Sequence, residues 1–281
     1  MESTQSFIKI SSPSLMKQGY NQRRFRMISV TTLLAILTIC LCTMMLVYGN
    51  TNYSLDVVFK VLSGEKIQGA TFAIATLRLP RMLSALLVGI AFGIAGNTFQ
   101  TMLRNPLASP DIIGVTSGSS VAAVFCILVL GMSGTTVSII SVVSGLLVSL
   151  VIYLLSNDVT FSGSRLILIG IGIQAMLQAV ISFLILKATQ YDVAGALRWL
   201  SGSLNGMTMK NIPSLFIVVA IFGTIILFLT KYLQVLELGY EFATTLGVRI
   251  NLARLVLILS AVFLIAFATS TTGPIAFVAF L

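Results

Sequence analysis

Histidine is absent from this 281-residue chain, and the three cysteines, Cys40, Cys42 and Cys126, each lie inside an apolar run. His-ligated zinc or haem, a Ser/His/Asp triad and a disulfide framework are therefore excluded, and the cysteines read as small membrane-packing residues. Charge is equally scarce: 9% of residues are charged, against roughly 25% in a soluble domain. Eight acids and 17 bases cannot clothe a water-facing surface of this size, which rules out cytosolic enzymes, secreted domains and disordered chains. No Gly-x-x-x-x-Gly-Lys-Ser/Thr loop occurs, so nucleotide phosphates are not cradled by that route. The net charge of +9 does not point to nucleic acid either, because the bases form no dense patch interleaved with aromatics. They punctuate membrane spans instead.

What the chain has in abundance is apolar residues, 57% of the total. Crossing ~30 Å of hydrocarbon takes roughly 20 helical residues, and uncharged runs of about that length recur along the sequence. They fall at 27–48, at 82–103 between Arg81 and Arg104, at 166–186 between Arg165 and Lys187, at 212–230 between Lys210 and Lys231, and at about 255–268. The uncharged stretch from Ile112 to Asn157 is long enough for two helices that turn at Gly131-Met-Ser-Gly134. Seven spans result, and the fold class is an all-α, polytopic transmembrane bundle. Thr269-Ser-Thr-Thr-Gly-Pro274 is expected to break the last span before an apolar run restarts at Ile275. That run, to Leu281, is too short to cross, and a terminus buried there would strand backbone carbonyls in lipid. The expectation is therefore that the sequence is a shortened form of a longer protein.

Residues 1–26 form a polar lead with Lys9, Lys17, Arg23, Arg24 and Arg26, which by the positive-inside rule places the N-terminus in the cytoplasm. Alternation then puts ten of the 17 bases inside and seven outside. The polar lead and the missing small-residue cleavage site make the first span a retained anchor. Domain organisation is thus a cytoplasmic tail, 1–26, followed by a membrane domain, 27–281.

Inside the seven spans there is no Asp, Glu, Lys or His. Ion-coupled carriers, pumps and intramembrane proteases normally place ionisable groups there, so this chain either borrows its energy or merely conducts. Asn97, Gln100, Gln174 and Gln178 serve either interhelical hydrogen bonding or a polar path. Ala85, Gly89, Gly93 and Asn97 put small residues at every fourth place of the second span, which predicts close helix packing; Gly114 and Gly118 repeat the spacing. Between Lys231 and Arg254, Leu236, Tyr240, Ala243 and Leu246 fall on one helical stripe with Gly247 as a stop. This is a short amphipathic helix over 236–248, suited either to docking into a groove on a soluble partner or to lying on the membrane surface.

Six ordered blocks carry a resemblance. Arg78-Leu-Pro-Arg81, Arg104-Asn-Pro-Leu-Ala-Ser-Pro110, Ile113-Gly-Val-Thr-Ser-Gly118, Trp199-Leu-Ser-Gly-Ser203, Leu238-Gly-Tyr-Glu-Phe-Ala through Val248, and Gly273-Pro-Ile-Ala-Phe-Val278 resemble the permeases of type II ABC importers. These are the FecCD-type transporters of iron-siderophores, haem and cobalamin. The resemblance implies a ten-span subunit fold, paired with a second permease subunit on two ATPase subunits and fed by an extracytoplasmic binding protein. It implies that Arg78 and Arg81 dock glutamates of the binding protein, the other reading being interfacial anchoring; that Gly239, Glu241, Ala243 and Gly247 belong to the segment seated in the ATPase; and that Ser162, Gly163 and Ser164 form an inner gate, or simply a loop. The implied cargo is a ferric siderophore, with no cofactor, no resident metal and no catalysis of bond chemistry by the chain itself. The alternatives are an ATP-independent channel or carrier, and a non-transporting remnant.

Overall fold

The computed structural model describes residues 13–106, 108–156, 163–188, 190–238 and 250–275. The chain divides into two compact units, Met1–Arg78 and Leu79–Leu281.

The first unit contains α1 (Pro13–Val47), α2 (Leu55–Leu62) and a π-helical turn (Phe72–Arg78). α1 begins well ahead of Met27, so much of the polar lead is helical. Its most apolar stretch has a mean hydropathy of 2.5, yet only 6% of it is buried, and Leu33, Leu34, Ile36 and Ile39 stand exposed. An apolar helix bare on nearly every face is stable only where the surroundings are hydrocarbon. Some of its hydroxyls obey the same constraint: Thr31 and Thr38 donate to the Met27 and Leu34 carbonyls one turn back, both at 2.8 Å, which hides those donors from the lipid. α2 is amphipathic in the ordinary way, burying Val58 and Val61 while Asp56 and Lys60 pair at 2.9 Å across one turn. Hydrogen bonding and charge from Asp56 hold the exposed Lys60 ammonium above its usual range.

The second unit contains α3 (Leu79–Leu103), a 3-10 turn (Pro110–Ile113), α4 (Val115–Leu128), α5 (Thr135–Ser156), α6 (Gly163–Lys187), α7 (Gln190–Leu200), α8 (Ile212–Phe228), α9 (Thr230–Leu238) and α10 (Ile250–Thr272). Its core is built on α10, whose Leu257, Ala261, Leu264, Ile265 and Ala268 are fully buried among Val88, Phe92 and Phe99 of α3 and Leu215 of α8. Phe222 and Phe263 stack with ring centroids 4.7 Å apart. α4 and α5 meet closely enough that Ser119 Oγ donates to the Ser141 carbonyl at 2.8 Å and Ser144 Oγ to that of Gly118 at 2.9 Å. Gly170 of α6 rests so tightly on the Ile112 carbonyl that a Cβ there would overlap it.

Each of the seven expected spans falls on a helix. Five helical stretches, 17–47, 72–103, 135–156, 163–187 and 251–272, are long and apolar enough to cross a membrane, and Val115–Leu128 and Ile212–Phe228 are shorter apolar helices. The turn expected at Gly131–Gly134 is where α4 gives way to α5. Two expectations are corrected. The Thr269–Thr272 stretch does not break its helix: Ser270 donates to the Phe267 carbonyl at 3.0 Å and Thr272 to that of Ala268 at 3.0 Å, so α10 absorbs the hydroxyls of 270–272, leaves Thr269 Oγ1 buried without a partner among the described residues, and stops only at Gly273-Pro274. The second span is buried in the bundle as expected, but its small-residue stripe is not the face that packs within the chain. Gly89 and Gly93 would meet nothing within 4 Å if given a Cβ, while Ser84, Val88, Ala91, Ala95 and Phe99 turn inward. The connection between Lys187 and Lys210 contains α7, which a hydropathy reading passes over because it is too short to span. The run restarting at Ile275 lies mostly outside the described residues.

Candidate docking and coupling sites

Arg78 closes the first unit. α1 ends at Val47 with its last carbonyls lacking intrahelical partners, and the Arg78 guanidinium supplies them: Nη1 donates to the Leu46 carbonyl at 2.8 Å and to that of Val47 at 2.9 Å. Nη2 donates to the Thr51 carbonyl at 2.5 Å, and the guanidinium carbon lies 5.2 Å from the Tyr53 ring centroid. Gly49 makes room, since a Cβ there would lie 2.5 Å from Nη2. Three of the five guanidinium donors are thus occupied in shaping residues 46–53. Lysine lacks the planar fork needed for this arrangement.

Arg81 sits differently. It follows Pro80 at the point where the π-helical turn of 72–78 runs on into α3, a wider turn that accommodates a proline with no N–H to donate. The Arg81 Nε is buried and bonds to nothing among the described residues, as does Ser84 Oγ one turn further on. Arg81 is half-buried and makes no ion pair among the described residues, but its shut-in Nε is closed to a partner from outside the chain.

Of the expected coupling residues, Gly239, Glu241, Ala243 and Gly247 lie outside the described residues. α9 leads into that segment, with Leu233 buried in the core, and α10 leads out of it. In the first turns of α10, Arg254 is 7% exposed and has a partner. Reading it as a flank of the last span missed this burial; the clue was its place four residues into a helix that starts at Ile250, earlier than the uncharged window indicates. Ser162 of the expected inner gate is likewise outside the described residues. Gly163 opens α6, its Cβ position 3.1 Å from Leu103 Cδ2 at the end of α3, and Ser164 is exposed. The same end of the unit holds a polar knot that sequence reading also missed. Thr116 Oγ1 donates to Asp111 Oδ1 at 2.5 Å, Ser109 Oγ donates to Oδ2 at 3.1 Å, and the Asp111 N–H bonds back to Ser109 Oγ at 3.2 Å. The Ser109-Pro-Asp111 pattern before a helix was its signal.

No group of three or more His, Cys, Asp or Glu able to hold a metal occurs among the described residues. The arrangement offers cationic and backbone contacts at helix ends.

The FecCD transport family model matches residues 7–281. The chain belongs to the FecCD transport family. It is 38% identical to the ferric enterobactin transport system permease protein FepG of Escherichia coli over 82% of this chain and 70% of that one. It is 32% identical to the achromobactin transport system permease protein CbrC of Dickeya dadantii over 92% of this chain and 76% of the relative. Among solved structures it is similar to a metal-chelate type ABC transporter in an inward-facing conformation, with a TM-score of 0.79 and 26% identity over 90% of this chain and 79% of that one. This FecCD protein is a multi-pass membrane permease subunit of an ABC importer.

Proposed function

We propose that this FecCD permease carries a ferric siderophore across the plasma membrane, pairing with a second permease subunit around a central cavity. The observation that carries the cargo reading is the 38% identity to a ferric enterobactin permease over 82% of the chain. The binding protein delivers the chelate at the face holding Arg81, whose guanidinium donates through its terminal nitrogens to a carboxylate of that protein, while Arg78 shapes residues 46–53 and adds positive charge. Residues 236–248, with Gly239, Glu241, Ala243 and Gly247, seat in the ATPase, and nucleotide-driven closure there switches the cavity from outward to inward. Ser162, Gly163 and Ser164 close the exit. The five bases of residues 1–26 hold the N-terminus in the cytoplasm. The chain itself breaks no bond; the seven uncharged runs hold no Asp, Glu, Lys or His that would couple transport to an ion.

The test is uptake of 55Fe-enterobactin by proteoliposomes holding the permease, its ATPase and its binding protein. Uptake that needs ATP and both companions supports the reading. Uptake by the chain alone sinks it in favour of a channel or carrier. Arg81→Glu is expected to cut uptake at least tenfold while leaving the ATPase bound; unchanged uptake removes the docking role.

A further inference from the structure

Two of the blocks that mark the family, Trp199–Ser203 and the one opening with Gly273-Pro274, have no part in the reading above, yet the fold joins them backbone to backbone. The Ser203 N–H donates to the Thr272 carbonyl at 2.6 Å. The Gly202 N–H bonds to the Trp199 carbonyl at 3.1 Å and the Gly273 N–H to that of Thr269 at 2.7 Å, so each glycine ends a helix while touching the other's segment. Both adopt the left-handed backbone, with φ of 63° at Gly202 and 75° at Gly273. A Cβ on Gly202 would overlap the Pro274 carbonyl oxygen, and one on Gly273 would overlap that of Trp199 and lie 3.0 Å from Gly202 Cα. The obstacles are main-chain atoms, which cannot rotate away as a side chain can. Any residue but glycine is therefore refused twice, by torsion and by space.

The position of the joint gives it a use. α10 runs ~34 Å, at ~1.5 Å per residue, from Ile250 to Thr272. Its first residue follows closely on the 236–248 segment, and its last meets the joint. It is the most buried of the five long apolar stretches, at 67%, with Arg254 held at one end and the joint at the other. Packed elements shift as units. Beyond the joint, α7 is keyed into α4: Ala196 is fully buried with Val124 and Ile181, and Trp199 packs against the cluster of Ala123, Cys126 and Val137.

We propose that Gly202 and Gly273 are positioning residues, forming a permanently closed joint through which α10 carries displacement of the coupling segment to α7 at its far end. The proposal rests on reading 236–248 as the segment that engages the ATPase.

The test uses the permease reconstituted with its ATPase and binding protein, with Cys40, Cys42 and Cys126 replaced by serine. Ser203→Cys with Thr272→Cys is oxidised, the bond is scored by loss of maleimide-polyethylene glycol labelling, and 55Fe-enterobactin uptake is read before and after reduction. Uptake within twofold in both states is expected, because the joint does not open during the cycle. A tenfold loss on oxidation that reductant restores overturns the proposal. Gly202→Ala and Gly273→Ala are each expected to lower uptake at least tenfold with the ATPase still bound and still hydrolysing ATP; uptake equal to the parent overturns it as well. Replacing Gly239-Tyr240-Glu241 with alanines separates the two readings. ATPase retained by that variant removes the coupling segment, and with it the relay's input, while the crosslink continues to report on the joint itself.

Discussion

Along α4 and α5, Gly118 and Gly145 face each other's helices so closely that Cβ atoms there would lie 2.7 Å from Val148 Cγ2 and 2.5 Å from Ser119 Oγ, with the Val115 carbonyl only 2.9 Å from the latter position. Along α3, Gly89 and Gly93 recur at the same four-residue interval and face nothing within 4 Å. The two regions share a sequence pattern and differ in what lies opposite. On α4 and α5 the small residues are matched by small residues and by two serines whose hydroxyls reach the other helix's carbonyls, so close approach gains hydrogen bonds as well as contact. On α3 the larger side chains Phe92, Phe99 and Met102 fill the space toward α8 and α10, and burying them outweighs what the glycines could offer. Small-residue spacing permits close packing; it does not choose the partner.

That contrast can be broken or sharpened by substitution. The largest effect is expected at the tightest contact, Gly170 on the Ile112 carbonyl. Gly170→Ala should lower stability by roughly 3 kcal/mol, about 6–12 °C in a detergent thermal-shift assay, because a backbone carbonyl must move. Gly145→Ala and Gly118→Ala are each expected to cost about 2 kcal/mol, since a Cβ at Gly145 meets Ser119 Oγ and the Val115 carbonyl, and one at Gly118 meets Val148 Cβ, which no rotamer moves, and the Ser144 carbonyl. An unchanged melting temperature at either site would mean that the two helices part without cost. The smallest effect belongs to the open stripe: Gly89→Ala and Gly93→Ala should leave the melting temperature of the isolated chain unchanged or raise it by about 1–3 °C, through helix propensity worth up to ~1 kcal/mol. A clear destabilisation at either would abolish the distinction drawn between the regions.

The spans were legible because an uncharged run bounded by Arg or Lys reports the surrounding solvent residue by residue, as at 82–103 and 166–186. The turn at Gly131–Gly134 was legible for the same local reason. Docking at Arg78 was implied by the family resemblance, with interfacial anchoring as the other reading; nothing local reveals that its guanidinium bonds to carbonyls 27 to 32 residues earlier in the chain. Thr269–Thr272 was misread because hydroxyl-rich stretches favour turns in water, whereas inside an apolar bundle the nearest acceptors are the helix's own carbonyls. The meeting of Gly202 with Gly273 joins positions 71 residues apart, beyond any pattern a window can see.

Composition alone settled that this chain is a helical membrane protein, because the cost of a charge in hydrocarbon is a property of each residue and its immediate neighbours. Composition did not settle which helix lies at the centre. The apolar stretches of α1 and α10 have mean hydropathies of 2.5 and 2.4, yet 6% of one and 67% of the other is buried. Lipid tails and protein interior are equally acceptable to an apolar side chain, so hydropathy cannot tell them apart. Only the shapes of the neighbours, met in three dimensions, assign one helix to the bilayer and the other to the core.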